Sequence, residues 1–353
     1  MQTGPRATPL DSIRALRGIA VLLVLFSHMV SVEAKYAGDQ ILGSWGFAGF
    51  AGVDLFFVIS GFIMVYVTQS VPNDVGSSWR FLLARSLRIY PLYWLVSLAV
   101  LLVWWQAPHL VFASEPKAPD LLRSFLLLPD VRDPLLPVGW TLIHEMYFYV
   151  VFAGLLLLKR NWLPIGLLAW ALIIGVGYWQ TGSAAPPFAK LVFSPLSFEF
   201  LGGTIAAFAY VRWRGVGWQM VLAAGVALFV LGLGYFAFFG PEQWTHLERA
   251  LVFAPSASLL MYGLVGVESA GRGFSSILIW IGDQSYALYL THLLTLSVIG
   301  RVWAMIAVDG PVDNVLALGV LLGLSLVVGQ LTYVFCEKPL LRLAYFLRAK
   351  WAR

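Results

Sequence analysis

The chain has 353 residues, of which 60% are hydrophobic and only 12% charged, with 15 Trp, 14 Tyr and 24 Phe. A mean hydropathy of +0.81 excludes a soluble globular domain, where about a quarter of the residues are charged and a single core could not hide this much apolar surface. The formal charge of +5 comes without a basic arm, so nucleic acid is not an expected partner, and the lone Cys336 excludes a disulfide framework, a thiolate metal cluster and an intramolecular redox pair.

Crossing about 30 Å of hydrocarbon takes about 20 mostly apolar residues. Ten stretches qualify: 13–32, 47–69, 87–106, 138–158, 161–179, 194–211, 216–239, 249–267, 276–300 and 314–335. They predict an all-α integral membrane protein of about ten transmembrane helices, with one membrane domain over 1–337 and a short basic tail over 338–353. Asp11 to Arg17 reads as a helix entry and not as part of a cleavable signal peptide. Basic residues sort by side, because cytoplasmic loops retain positive charge. With the N-terminus inside, only Lys35, Lys117, Arg123, Arg132, Lys190, Arg249 and Arg301 fall outside, and Arg6, Arg353 and the remaining Lys and Arg fall within. Both termini are therefore expected to be cytoplasmic. The longest outer loop, about Ala107 to Pro137, mixes prolines with both signs of charge and reads as an ordered surface loop.

An ionisable group at membrane depth is costly and marks a functional position by default. In the first span Arg17 and His28 are eleven residues apart, about three turns and about 16 Å, so both point the same way. A neutral imidazole at His28 can accept a proton from a hydroxyl, and the competing reading is a buried histidine satisfied by hydrogen bonds. Asp54, in the Gly-rich stretch GFAGFAGVDLFFVISGF of the second span, reads as a paired carboxylate at a close helix contact. Arg85 and Arg88, with Arg80 nearby, can hold phosphate oxygens through forked donors, for which coenzyme A is an obvious ligand; topology signalling explains them equally simply. The fourth span opens GWTLIHEMYFYVV. Glu145 lies about two turns in, where it must pair, protonate or serve chemistry, by orienting His28 or positioning a sugar hydroxyl. Trp140, Tyr147 and Tyr149 offer stacking faces or an interfacial belt, and His144 points about 100° away from Glu145. In the ninth span Ser285, Tyr289 and His292 form an i, i+4, i+7 stripe, which suits helix-to-helix hydrogen bonds for the first two and contact with an acceptor for His292. The sequence lacks a phosphate-cradling loop, an HExxH pair and a serine elbow, which argues against ATP-driven transport, metal-dependent hydrolysis and acyl-serine chemistry.

Taken together, LDSIRALRGIAVLLVLFSH, GVDLFFVISGF, RSLRIYPLYW, WTLIHEMYFY, FEFLGG and IGDQSYALYLTH closely resemble the acyltransferase 3 family of integral membrane O-acyltransferases, over nearly the whole chain. The form WTLIHEMYFY looks most like the branch that acetylates bacterial exopolysaccharides. The resemblance implies a multi-pass protein of the bacterial cytoplasmic (inner) membrane. It also implies an acetyl-CoA or other acyl-CoA donor, no metal, and a carbohydrate acceptor such as an exopolysaccharide or its lipid-linked precursor. Carried over by position, it implies His28 and Glu145 as catalytic and Arg17, Arg85 and Arg88 as donor ligands. Tyr286 belongs to the motif positions around the site, and with Trp140, Tyr149, Tyr289 and His292 it completes the expected acceptor contacts. Where the family often pairs arginines before RIxPxYW, Ala84 precedes Arg85 here. The alternatives are acylation of a macrolide or other small hydroxyl compound, and transport of a lipid-linked sugar without acyl transfer.

Overall fold

In hydrocarbon a segment must satisfy its own backbone, which leaves the helix as the local solution for each apolar stretch. The structure, a computed structural model, describes residues 10–37, 41–108, 118–182, 184–240, 244–308 and 310–351, and among these it is helical without strands. The helices are α1 Asp11–Tyr36, α2 Ala51–Val67, α3 Val75–Gln106, α4 Leu121–Leu126, α5 Gly139–Leu155, α6 Leu163–Gln180 and α7 Pro187–Val192. They continue with α8 Ser197–Trp213, α9 Trp218–Phe239, α10 His246–Ser269, α11 Ser276–Asp283, α12 Ser285–Trp303, α13 Pro311–Thr332 and α14 Lys338–Trp351. A 3-10 turn over Gly43–Phe50 leads into α2. Eight segments are long and apolar enough to cross a membrane, and α5 with the α11–α12 pair brings the number to about ten. Arg6, Lys117 and Arg353, used in sorting the basic residues, lie outside the described residues.

Three elements differ from expectation. α3 starts at Val75 and not near residue 87. Its first turns carry Arg80, Arg85 and Arg88 and so fail a hydropathy criterion, yet Asp74 caps them, accepting from the Ser77 N–H and hydroxyl at 2.8 Å each. The ninth predicted span is two helices, α11–α12, and the sixth is the single helix α8, preceded by the short α7. The basic tail is not a loose end, because α13 runs through a π turn over Tyr333–Glu337 into α14, which packs on α3.

The chain forms two compact units, residues 1–70 with 198–329 and residues 71–197 with 330–353. In the first, α1 is surrounded by α2, α10, α11 and α12, and α9 lies along α10. Two crossings depend on glycine. A side chain at Gly18 would strike the Leu278 carbonyl and one at Gly282 the Arg14 carbonyl; Gly61 and Gly203 stand in the same reciprocal relation to the Phe200 and Val58 carbonyls. This is the small-residue contact by which membrane helices approach closely. The motifs GVDLFFVISGF and FEFLGG are thereby explained as the two sides of the α2–α8 contact. α1 has no side-chain cap of its own at Leu10. The Glu268 carboxylate, at the end of α10, substitutes by accepting from the Asp11 N–H at 3.0 Å and from the Ser12 N–H and hydroxyl at 3.0 and 2.6 Å.

In the second unit α3 packs against α5 and α14, and α5 against α6 and α7. The Ser78 hydroxyl donates to the Ala153 carbonyl and the Asn73 amide to that of Leu156 at 3.0 Å, so the start of α3 lies beside the end of α5. The aromatic run IYPLYW then acts as a clasp. Tyr93, Trp94 and Tyr90 donate to the carbonyls of Ser124, Phe125 and Leu126 at 2.7, 2.8 and 3.0 Å. These are the last carbonyls of α4, of which only that of Ser124 also accepts a backbone hydrogen bond, from the Leu127 N–H at 3.2 Å. The loop after α3 therefore folds back to the middle of that helix, about 18 Å short of its end at Gln106.

Candidate functional site

In the first unit, α1 and α12 run side by side in the same direction, linked at two levels. At one level the Arg17 Nε donates to the Ser285 hydroxyl at 3.1 Å. One turn earlier Arg14 engages Asp283 through two prongs, its Nε at 2.6 Å, and also Asp11 at 2.7 Å. At the other level the His28 and His292 rings stand 4.9 Å apart at 66°, with Phe50 edge-on to His28 at 5.3 Å and Tyr289 5.7 Å from His292. Ser285, Tyr289 and His292 are all buried, and the two ends of this stripe meet Arg17 and His28 of α1.

Both imidazoles are oriented by their own helices. His28 Nδ1 lies 2.9 Å from the Val24 carbonyl and His292 Nδ1 2.7 Å from that of Tyr289. A carbonyl only accepts, so Nδ1 carries the hydrogen in each ring and the lone pair sits on Nε2. His28 is half-buried and His292 only 1% exposed. Tyr286 is also buried on α12, but six residues before His292 it points away from that ring, so the two do not share a face.

Elsewhere in this unit a second polar group is buried. Asp54, fully buried in α2, accepts from Arg249 of α10 at 2.8 Å, which is the paired carboxylate expected at that position. Arg249, counted as a loop charge in the sequence, is its partner. Glu199, in the first turn of α8, is fully buried against the same two residues. Sequence reasoning missed Glu199, and the available signal was a single carboxylate inside the apolar stretch FEFLGG.

In the second unit Arg85, Arg88, Glu145 and Tyr149 come together. The Tyr149 hydroxyl donates to Glu145 one turn earlier on α5, and both guanidinium groups act on that hydroxyl. Phe81 sits edge-on to Tyr149 at 6.3 Å and carries Arg85 over its face at 5.8 Å. Trp140 rests against His144, whose Nδ1 is 3.0 Å from the Trp140 carbonyl. Tyr147 is occupied in packing, donating to the Val192 carbonyl at 3.2 Å and accepting from Trp170 at 3.3 Å. A carboxylate bonded to a phenol beside two arginines leaves a positively charged surface able to hold phosphate or pyrophosphate. No group of three or more His, Cys, Asp or Glu among the described residues is placed to hold a metal ion.

Comparison with known proteins gives the same direction. An Acyltransferase domain profile, acyltransferase 3, matches residues 10–334. The exopolysaccharide production protein ExoZ of Rhizobium meliloti is 34% identical over 310 residues, covering 83% of this chain and 90% of that protein. Acyltransferase MdmB of Streptomyces mycarofaciens is 26% identical, covering 96% of this chain and 93% of its own length. The peptidoglycan O-acetyltransferase OatA of Listeria monocytogenes is 24% identical over 93% of this chain but only 55% of its own length. No solved structure matches the chain.

Proposed function

The chain belongs to the acyltransferase 3 family and is a membrane O-acyltransferase, and on that premise we propose that it moves an acetyl group from acetyl-CoA to a hydroxyl of a carbohydrate. The acceptor is an exopolysaccharide or its precursor, as the relationship to ExoZ suggests. Both termini face the cytoplasm of a bacterial cell, and the donor enters from that side.

His28 is the general base. The single observation that supports this role is the hydrogen bond from its Nδ1 to the Val24 carbonyl, which leaves Nε2 as a lone pair. The acceptor O–H gives its proton to Nε2 as the oxygen attacks the thioester carbon. The C–S bond breaks, and the leaving thiolate takes the proton from His28, so donor and acceptor become ester and free thiol with nothing further consumed. In the first unit Arg17 serves the donor about 16 Å along α1 from His28, a distance for a pantetheine arm to cover; in the second, Arg85 and Arg88 offer forked donors to the donor's phosphate oxygens. Glu145 and Tyr149 set the position of the two arginines. In the first unit Tyr286, Tyr289 and His292 serve the acceptor; in the second, Trp140 offers a stacking face for a sugar ring.

The test is transfer of radiolabelled acetyl from acetyl-CoA to endogenous glycans in membranes carrying wild type or His28→Ala. Label with wild type alone is the expected result. Equal label in both variants would remove His28 from the chemistry.

A further inference from the structure

His292 has an unmet requirement. It is 1% exposed, its Nδ1 hydrogen is committed to the Tyr289 carbonyl, and its Nε2 is buried without a hydrogen-bond partner. A buried acceptor atom left unpaired is costly, and such atoms in a native site ask for an explanation. The neighbouring ring does not supply one. His28 also presents a lone pair at Nε2, since its Nδ1 is bound to Val24, and no hydrogen bond joins the two rings, whose centroids lie 4.9 Å apart. A proton is therefore not passed directly between them. Both rings wait for a donor, and they do so on the same side of α1 and α12.

Resting on the reading of His28 as base, we propose that His292 Nε2 accepts a hydrogen bond from a second hydroxyl of the acceptor, so that this pair of imidazoles selects a substrate with two adjacent hydroxyl groups. The arithmetic of protons leads there. The attacked hydroxyl has one hydrogen and gives it to His28, so it has none left for His292. An ether, an acetal or an ester next to it offers only acceptors and would leave His292 unsatisfied. A neighbouring hydroxyl donates and keeps its proton throughout: the only bonds that change remain the O–H, C–S and C–O bonds of the transfer. Phe50 and Tyr289, at 5.3 and 5.7 Å from the two rings, supply the apolar walls that a sugar ring needs beside such a polar pair. The residue positions the substrate and sets specificity, because a site built to hydrogen-bond a hydroxyl discriminates strongly against an analogue that lacks it.

The experiment uses full-length protein in membranes, radiolabelled acetyl-CoA, and oligosaccharides cut from the host's surface glycan and stripped of acetyl by mild base. His292→Gln and His292→Met are nearly the same size, and only the first retains an oxygen acceptor; both suit a buried site, and melting curves in detergent check that they fold. We expect His292→Met to raise KM for the oligosaccharide about tenfold or more, with KM for acetyl-CoA unchanged and with His292→Gln recovering most of the loss. The acetyl group in the wild-type product should map to a hydroxyl flanked by a free one. The proposal fails if Met and Gln behave alike, if the change falls on KM for acetyl-CoA, which would make the donor arm the partner, or if the acetylated hydroxyl has no free neighbour. His28→Ala in parallel separates the two levels. Equal transfer by that variant, or none by wild type, overturns the reading of the site as a whole, whereas activity lost in His28→Ala with His292→Met unaffected overturns the diol alone.

Discussion

The two ends of α1 are built on opposite principles. At its start every polar group is met: Glu268 takes the free N–H groups of the first turn, Arg14 is gripped by Asp283 and Asp11, and Arg17 reaches Ser285. Seventeen residues beyond Asp11, His28 and His292 have one ring nitrogen tied down and the other left for something outside the protein. The buried Asp54–Arg249–Glu199 group lies between the two: Arg249 reaches Asp54 at 2.8 Å, while Asp54 Oδ1, Arg249 Nε and both Glu199 oxygens are buried without a hydrogen-bond partner. Along α1, hydrogen-bond saturation therefore separates the residues that hold the helices from the two imidazoles more sharply than charge or depth does.

That contrast can be broken by mutation. The largest effect on stability is expected from Arg249→Ala, which leaves the Asp54 carboxylate buried without its partner; a loss of about 3–5 kcal/mol should appear as a steep drop in the melting temperature of the detergent-solubilised protein. A near-normal melt would mean the cluster is wet and belongs with the open kind. His28→Ala should do the reverse, lowering transfer a hundredfold or more while melting within about 1 kcal/mol of wild type, as half-buried groups that carry function and not structure do. Glu268→Ala removes the borrowed cap of α1 and should cost about 1–2 kcal/mol, with faster amide exchange confined to the first turn. The smallest effect concerns Asp74. The Ser77 N–H, and after it the Ser77 hydroxyl, hold its carboxyl below the usual carboxylate range. Its capping contribution is thus complete above the ordinary carboxylate value and fades only as the pH falls through the lowered one. Asp74→Asn should flatten that acid limb of the stability curve and leave it unchanged near neutrality.

Much of the architecture was legible because hydropathy and helical period act locally. The ten stretches, the shared face of Arg17 and His28, the stripe at Ser285, Tyr289 and His292, and a paired Asp54 all follow from spacing along one helix. The partners do not. Arg249 reads as a loop charge because it opens α10 at the edge of an apolar stretch, and nothing local says that it turns inward to α2. Glu199 is a single carboxylate among apolar neighbours, and its importance comes only from Asp54 and Arg249 being opposite. The run IYPLYW reads as the mouth of a span, whereas its three donors serve the carbonyls of α4, about thirty residues later in an irregular segment. Hydropathy also misplaced the start of α3, since a capped basic helix satisfies its backbone as well as an apolar one does.

The returning loop has a mechanical consequence for the surrounding lipid. α3 is about 48 Å long and α5, whose start lies beside Tyr93, only about 26 Å. The second half of α3 presents Leu95, Leu98, Leu102 and Val103 outward, so acyl chains wet it along its length, while the neighbouring wall ends at the level of the clasp. Lipid facing this side of the unit meets two hydrophobic heights, a mismatch of the kind that costs fractions of a kcal/mol per ångström.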